Sequence, residues 1–137
     1  MSDVAERVWE RIRELVLESH DRRKDVADAL GMSFIKVKAL TKLVRAPMTM
    51  RELAEALAID RPYATVVVDD LESRGLAARS VHPDDRRCKI VTVTGEGCAV
   101  AEKAAAIMRE PPPALVGLNA DDLSRLDEIV ARLRENS

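Results

Sequence analysis

A mainly α-helical fold carrying one small β-hairpin is predicted by three stretches of this 137-residue chain. Thr49-Met50-Arg51-Glu52 has the form of a capping box, in which the Thr hydroxyl takes the N3 amide and the Glu reaches back to the Thr amide. Asp60 is a good N-cap for a second helix, and Pro62 falls in its first turn, where a missing N–H costs nothing. Two strand-like runs follow, Ala77–Val81 and Cys88–Val93, joined by the polar tip His82-Pro83-Asp84-Asp85-Arg86-Arg87. Helix, short turn, helix and a two-stranded ribbon with an arginine tip make a winged helix-turn-helix. Such a unit presents its second helix to the major groove and its ribbon tip to the backbone or minor groove.

Taken in order, Val4–Ala29 predicts one long helix, because Val8, Ile12, Leu15 and Val16 recur near the 3.6-residue period with Trp9 beside them. The run Asp21-Arg22-Arg23-Lys24-Asp25 inside it reads as a solvated face. Gly31 ends this helix and Ser33 can cap the next. Ser33–Arg45 gathers Phe34, Val37, Leu40, Leu43 and Val44 on one face, the first of a three-helix core. Pro47 ends it, and Met48-Thr49 is a short extended lead into the capping box.

Leu53, Ala54 and Leu57 give Thr49–Leu57 its apolar face, and Val67, Val68 and Leu71 do the same for Asp60–Ser73, with Gly75 placed at its end. Thr94-x-x-Gly97 opens a helix running to about Arg109, whose broad face of Val100, Ala101, Ala104, Ala105 and Met108 admits a close neighbour. Pro111-Pro112-Pro113 stops it, since consecutive prolines cannot continue the ladder. Asn119 caps the last helix, Leu118 and Leu123 are placed as a hydrophobic staple, and Leu126, Ile129, Val130 and Leu133 complete its stripe.

Too few apolar residues lie elsewhere to cover the terminal helices within one chain. The expected organisation is therefore a DNA-binding domain at residues 33–94 between two parts of a dimerisation lobe, residues 1–32 and 95–137. Val8, Ile12, Leu123, Leu126, Ile129, Val130 and Leu133 are the expected interface.

Composition bounds the function. The chain is 47% hydrophobic and 34% charged, as in ordinary soluble domains. Aromatics make up only 2%, so the core must be aliphatic and stacking platforms for single-stranded nucleic acid are not expected. No apolar run has the length of a membrane span, and no leader opens the chain, so a cytoplasmic location is expected. The two cysteines suggest no disulfide framework. A net charge of −2 lacks the usual basic footprint of a nucleic-acid binder. Its distribution restores one: Lys36, Lys38, Lys42 and Arg45 cluster before the capping box, Arg86, Arg87 and Lys89 sit at the hairpin tip, and acids dominate the C-terminal stretch.

With Arg51-Glu52-Leu53-Ala54, Asp69-x-Leu71-Glu72-x-Arg74-Gly75-Leu76 and Asp85-Arg86-Arg87-x(5)-Val93-Thr94-x-x-Gly97 in this order, the chain resembles the MarR family of bacterial transcription regulators from about Ser33 to Leu133. The resemblance implies a homodimer that represses transcription from double-stranded DNA and is released by a small phenolic ligand or by thiol oxidation. It implies that Trp9, on the first helix, lies at or near a partner contact; an ordinary core tryptophan is the competing reading. It also assigns Arg87 to the minor groove, with Asp85 holding it in place. Positions 66 and 70, commonly basic in relatives, are Val66 and Asp70 here, a departure that removes phosphate contacts.

On the expected recognition helix, Arg61, Pro62, Tyr63, Thr65 and Val66 face outward. Arg61 suits guanine O6/N7, Thr65 a base edge or phosphate, Tyr63 a phosphate, and Val66 only a thymine methyl. In the wing, Asp85, Arg86, Arg87 and Lys89 are the expected contacts, because a long cation gains from the potential of a narrow minor groove. For an effector pocket near the hinge, Arg13, His20 and Lys42 are the first candidates. A winged-helix module that binds protein, suggested by the acids Asp69-Asp70, is one alternative. A thiol-redox sensor using Cys88 or Cys98 is another, since cations beside Cys88 favour a thiolate. An enzyme is not expected: His20 and His82 lack metal-ligand spacing, no phosphate loop or nucleophile elbow occurs, and no cofactor is called for.

Overall fold

A computed structural model of the chain describes residues 2–137 as eight α-helices, one π-helical segment and three short strands. The helices are α1 (Ser2–Arg13), α2 (Arg22–Leu30), α3 (Phe34–Arg45), α4 (Met50–Leu57), α5 (Arg61–Ser73), α6 (Gly95–Arg109), α7 (Pro113–Val116) and α8 (Ala120–Glu135). The strands are β1 (Met48–Thr49), β2 (Ala77–Val81) and β3 (Lys89–Val93).

The predicted single helix over 4–29 is two. After Arg13 the chain runs as π-helix over Glu14–Ser19, with the His20 N–H donating to the Leu15 carbonyl at 2.9 Å, and His20 then leaves helical backbone altogether. Asp21 restarts the helix as an N-cap, its carboxylate accepting from the Arg23 N–H at 3.0 Å. Two of the supposed solvated-face residues are therefore structural, Asp21 as a cap and Arg22 as a tie described below. Gly31 ends α2 at φ 66, as the sequence predicts. Ser33 occupies the N-cap position of α3 without a side-chain bond to the helix.

The capping box at Thr49 forms fully: Thr49 Oγ1 accepts from the Glu52 N–H at 3.1 Å, and Glu52 accepts from the Thr49 N–H at 3.0 Å. Met48-Thr49 also does more than lead in. It pairs antiparallel with Val91 and Ile90, so the expected two-stranded ribbon is a three-stranded sheet in the order β1-β3-β2. A central β3 satisfied on both edges makes the base of the hairpin stiffer than a lone ribbon.

The core is aliphatic throughout. Val26, Val37, Leu40, Leu43, Leu53, Ala64, Val67, Val68, Leu71 and Val91 are at most 2% exposed. It continues through Met32 on one side and Ala101 and Ala104 on the other, so the boundaries expected at 32/33 and 94/95 are crossed by packing. The small-residue face of α6 meets α2 and α3 of its own chain. By contrast α1, α7 and α8 barely touch this body, and none of the 16 residues of α8 is buried.

Candidate nucleic-acid interface

Helix α5 is built as an exposed helix on a buried rail. Asp60 accepts from the Tyr63 N–H at 2.8 Å, Pro62 fills the first turn, and Ala64, Val67, Val68 and Leu71 are buried. That periodicity leaves Arg61, Pro62, Tyr63, Thr65 and Val66 facing outward, with Val66 59% exposed. The Thr65 hydroxyl donates to the Arg61 carbonyl at 3.1 Å, which holds it against its own helix. Val66 is thus largely uncovered by the rest of the chain. Its methyl groups are free for an external apolar group.

The turn between α4 and α5 is tight. Ala58 adopts φ 55, its N–H donating to Glu55 and the Ile59 N–H to Ala54, a Schellman closure usually given to glycine. At the other end of α5 the same closure uses Gly75 at φ 74, with the Leu76 N–H donating to the Leu71 carbonyl at 2.9 Å.

Between α5 and the wing lies a network that the linear motifs do not reveal. Arg79 on β2 donates from Nε to Glu72 Oε1 at 2.7 Å and pairs with Asp69, while its N–H donates to Glu72 Oε2 at 3.2 Å. Asp70 pairs with Arg74 at 2.7 Å and with Lys36 on α3 at 3.2 Å. Hydrogen bonding from Arg74 and then Lys36 holds the Asp70 carboxyl below its ordinary pKa against the opposing effect of burial. Asp69 and Asp70 are thus occupied within the chain, and Lys36 is spent on one of them.

A second lock closes the wing's far end. Thr94 Oγ1 donates to the Gly75 carbonyl at 2.7 Å and accepts from the Gly97 N–H at 3.0 Å, while the Thr94 N–H donates to the Leu76 carbonyl at 3.0 Å. Gly97 is packed so closely that a Cβ there would lie 2.1 Å from the Leu76 carbonyl oxygen. The Thr-x-x-Gly spacing is therefore a steric requirement of the α5–β2 turn docking on α6.

The wing tip is organised by Asp85. Its Oδ1 accepts from the Arg87 N–H at 3.0 Å and from Arg87 Nε at 3.4 Å, its Oδ2 takes the Cys88 thiol at 3.6 Å, and its carbonyl accepts from the Cys88 N–H. The Arg87 backbone donor, ahead of the Arg87 guanidinium and Cys88, lowers the Asp85 pKa. Arg87 itself is 93% exposed, held at its root and free at its head. Arg86 and Lys89 are exposed beside it. His82 accepts from the Asp84 N–H at 3.0 Å and closes the loop through its N–H to the Cys88 carbonyl.

Residues 38–89 match the MarR family model. The matched stretch runs from α3 through the wing tip. The whole chain is also similar to solved structures: YusO of Bacillus subtilis (20% identity, 99% of this chain and 98% of that one, TM-score 0.78) and a cysteine-to-serine mutant of MarR from E. coli (24%, 90% and 94%, 0.74). A third is a point mutant of S. aureus MepR bound to an oligodeoxyribonucleotide (19%, 96% of each chain, 0.70). At these identities the likeness fixes the fold, a winged helix with additional helices at both ends.

The other expected residues of the MarR-like chain fall as follows. Trp9 is 63% exposed, so it is no core tryptophan. Val8, Leu126, Ile129, Val130 and Leu133 are exposed too, and Ile12 and Leu123 half-buried. Of the three pocket candidates His20 borders a groove of about 660 Å³, lined by Leu15, Val16, Arg22, Met108, Pro111 and Leu115 among others. Arg13 and Lys42 do not line it. Both cysteines are free thiols, Cys88 half-buried at the wing tip and Cys98 exposed on α6. Among the described residues no group of three His, Cys, Asp or Glu side chains could hold a metal ion, and no helix is long and apolar enough to cross a membrane.

Proposed function

We propose that this chain is a transcriptional repressor that binds a pseudo-palindromic duplex as a homodimer, with α5 in the major groove and the wing on the adjacent minor groove. The observation that carries the proposal is the wing tip: an arginine 93% exposed, anchored at its root by Asp85, on a hairpin tied to α5 through Arg79. A cation presented in this way loses little freedom on reaching phosphate or a narrow groove. The match of residues 38–89 to the MarR family model and the oligodeoxyribonucleotide bound to the structurally similar MepR mutant support the same reading.

The dimer follows from what the terminal helices leave uncovered. An isolated 16-residue helix is marginal in water, yet α8 shows Leu126, Ile129, Val130 and Leu133 to solvent. Val4, Val8 and Trp9 of α1 are likewise exposed, and uncovered apolar side chains in such number mark an interface. A second copy covers them, making residues 2–19 and 110–137 the dimer lobe. The recognition helices then lie about one turn apart, roughly 34 Å.

Release by a small aromatic or phenolic effector would use the groove beside His20, which lies where the dimer lobe meets the winged body. Such a ligand acts only through its differential affinity for two spacings of the recognition helices. The protein-binding alternative is weakened, since Asp70 is paired with Arg74 and Lys36 and Asp69 with Arg79 within the chain.

A gel shift on the duplex upstream of the chain's own reading frame tests the proposal. Binding should weaken steeply between 50 and 200 mM salt, by about 0.9 log unit of affinity per log unit of salt for each phosphate contact. Arg87→Ala should lower the affinity strongly while leaving the circular dichroism spectrum unchanged. Equal affinity for both proteins would reject the wing's role.

A further inference from the structure

Only two covalent connections join the winged body to the outlying helices. The chain enters at His20-Asp21, between the π-helical segment and α2, and it leaves at Glu110–Pro112, between α6 and α7. Neither connection is helical. His20 sits at φ −136, ψ 54, and Glu110 at φ −66, ψ 118 ahead of three prolines.

One side chain bridges them. Arg22, the first residue of α2, donates to the Glu110 carbonyl from both Nε (3.2 Å) and Nη2 (2.9 Å). Its Nη1 donates to Asp25 Oδ2 at 3.0 Å, which aims the guanidinium, and the side chain is only 23% exposed. The bond has a specific cause. Carbonyls at a helix C-terminus need donors, and Pro111, Pro112 and Pro113 have no N–H to offer. A planar fork satisfies the site in a fixed orientation, which a lysine ammonium does not.

Little else restrains the outlying helices, because α1, α7 and α8 pack sparsely on the body, and the groove of about 660 Å³ leaves open space alongside the bridge. Helix α8 is roughly 24 Å long, so a tilt of about 10° at its base moves its far end by about 4 Å.

We infer that Arg22 is the positioning residue of a clamp that fixes the outlying helices against the winged body and so sets the separation of the two recognition helices. The inference rests on the two-fold DNA-binding reading above. Hinge motion of this kind is carried by a few residues at the ends of elements, and the Arg22 bridge spans both ends at once. The clamp makes the spacing a property of each protomer, adjustable without altering the dimer contact.

The test is a pulsed electron-spin distance measurement on the full chain, with Cys88→Ser and Cys98→Ser and a single spin label at Ser73→Cys, exposed at the end of α5. With Arg22 intact the two labels of the pair should give one narrow distance distribution. Arg22→Ala should give a distribution roughly twofold broader, as expected of a freed hinge. Arg22→Lys, which keeps the charge and stem but lacks the fork, should also broaden it, and it serves if Arg22→Ala fails to fold. A distribution of unchanged width in the Lys variant, or in a folded Ala variant, overturns the clamp while leaving the dimer standing. No dipolar signal with Arg22 intact overturns the dimer itself, and the clamp with it.

Discussion

Arg79 stands seven residues beyond Glu72, across the turn from α5 into β2, and their side chains meet at 2.7 Å. Asp69, one helical turn earlier, takes the other side of the same guanidinium. The wing is thereby tied to the recognition helix by a fork-shaped cation between two acids. A surface pair alone contributes little, but three groups sharing a half-buried site fix relative orientation.

Arg79→Met should therefore separate binding from stability. It removes the tie and leaves Asp69 and Glu72 facing each other, so affinity for the duplex should fall at least tenfold. Stability should fall by only about 1 kcal/mol, the scale of an exposed ion-pair network. Fluorescence anisotropy with a labelled duplex, beside urea unfolding, checks both. A variant that binds as the parent does would dismiss the tie.

Gly97 gives the sharpest stability prediction. A methyl group there collides with the Leu76 carbonyl and with Val93 Cγ2, at 2.1 and 2.6 Å. Relief requires α6 to move off the α5–β2 turn, breaking the Thr94 bonds on the way. Gly97→Ala should cost about 3 kcal/mol or more, the upper range for overpacking. The midpoint of urea unfolding reports it.

Ala58 makes the opposite case. An alanine in left-handed backbone costs roughly 1–2 kcal/mol, part of which glycine returns as unfolded-chain entropy. Ala58 is exposed and loses no packing on truncation. Ala58→Gly should raise stability by about 0.5–1 kcal/mol, seen as a higher thermal midpoint. A lower midpoint would mean that the turn does not hold this backbone.

Acid should weaken the fold through Asp70. Its folded-state pKa lies below the ordinary value because Arg74 and then Lys36 bond its carboxylate. Below about pH 4 the unfolded chain binds the proton more readily than the folded one. The contribution is thus present above pH 4 and lost as pH falls through the folded-state value. In urea titrations over that acid range, Asp70→Asn should show a shallower dependence of stability on pH than the parent. Parallel curves would place the pH dependence elsewhere.

How much of this was legible in the sequence follows from the reach of each interaction. The caps at Thr49, Asp60, Asn119 and Thr94 bond an amide three residues away, so residue type and spacing announced them. The hairpin and the exposed face of α5 follow likewise from local period. What escaped was long-range or depended on a break. Met48-Thr49 pairs with residues near position 90, and Arg22 bonds a carbonyl 88 positions away. The interruption at His20 fell inside a polar run, Glu18 to Asp25, with no glycine or proline to mark a break. Asp70 looked like a departure from a basic position, and only the fold shows Lys36 meeting it beside Arg74, and Arg79 meeting Asp69. The wing's role had a local signature, the Asp-x-Arg spacing, because Asp85 binds Arg87 two residues on.

The most direct test of the account is sedimentation velocity of the protein with a fluorescent duplex from its own upstream region, followed at the dye's wavelength in low salt. Two chains should travel with each duplex and separate from it as salt rises. A single chain in the absence of DNA at micromolar concentration, or a duplex whose sedimentation the protein leaves unchanged in low salt, would contradict it.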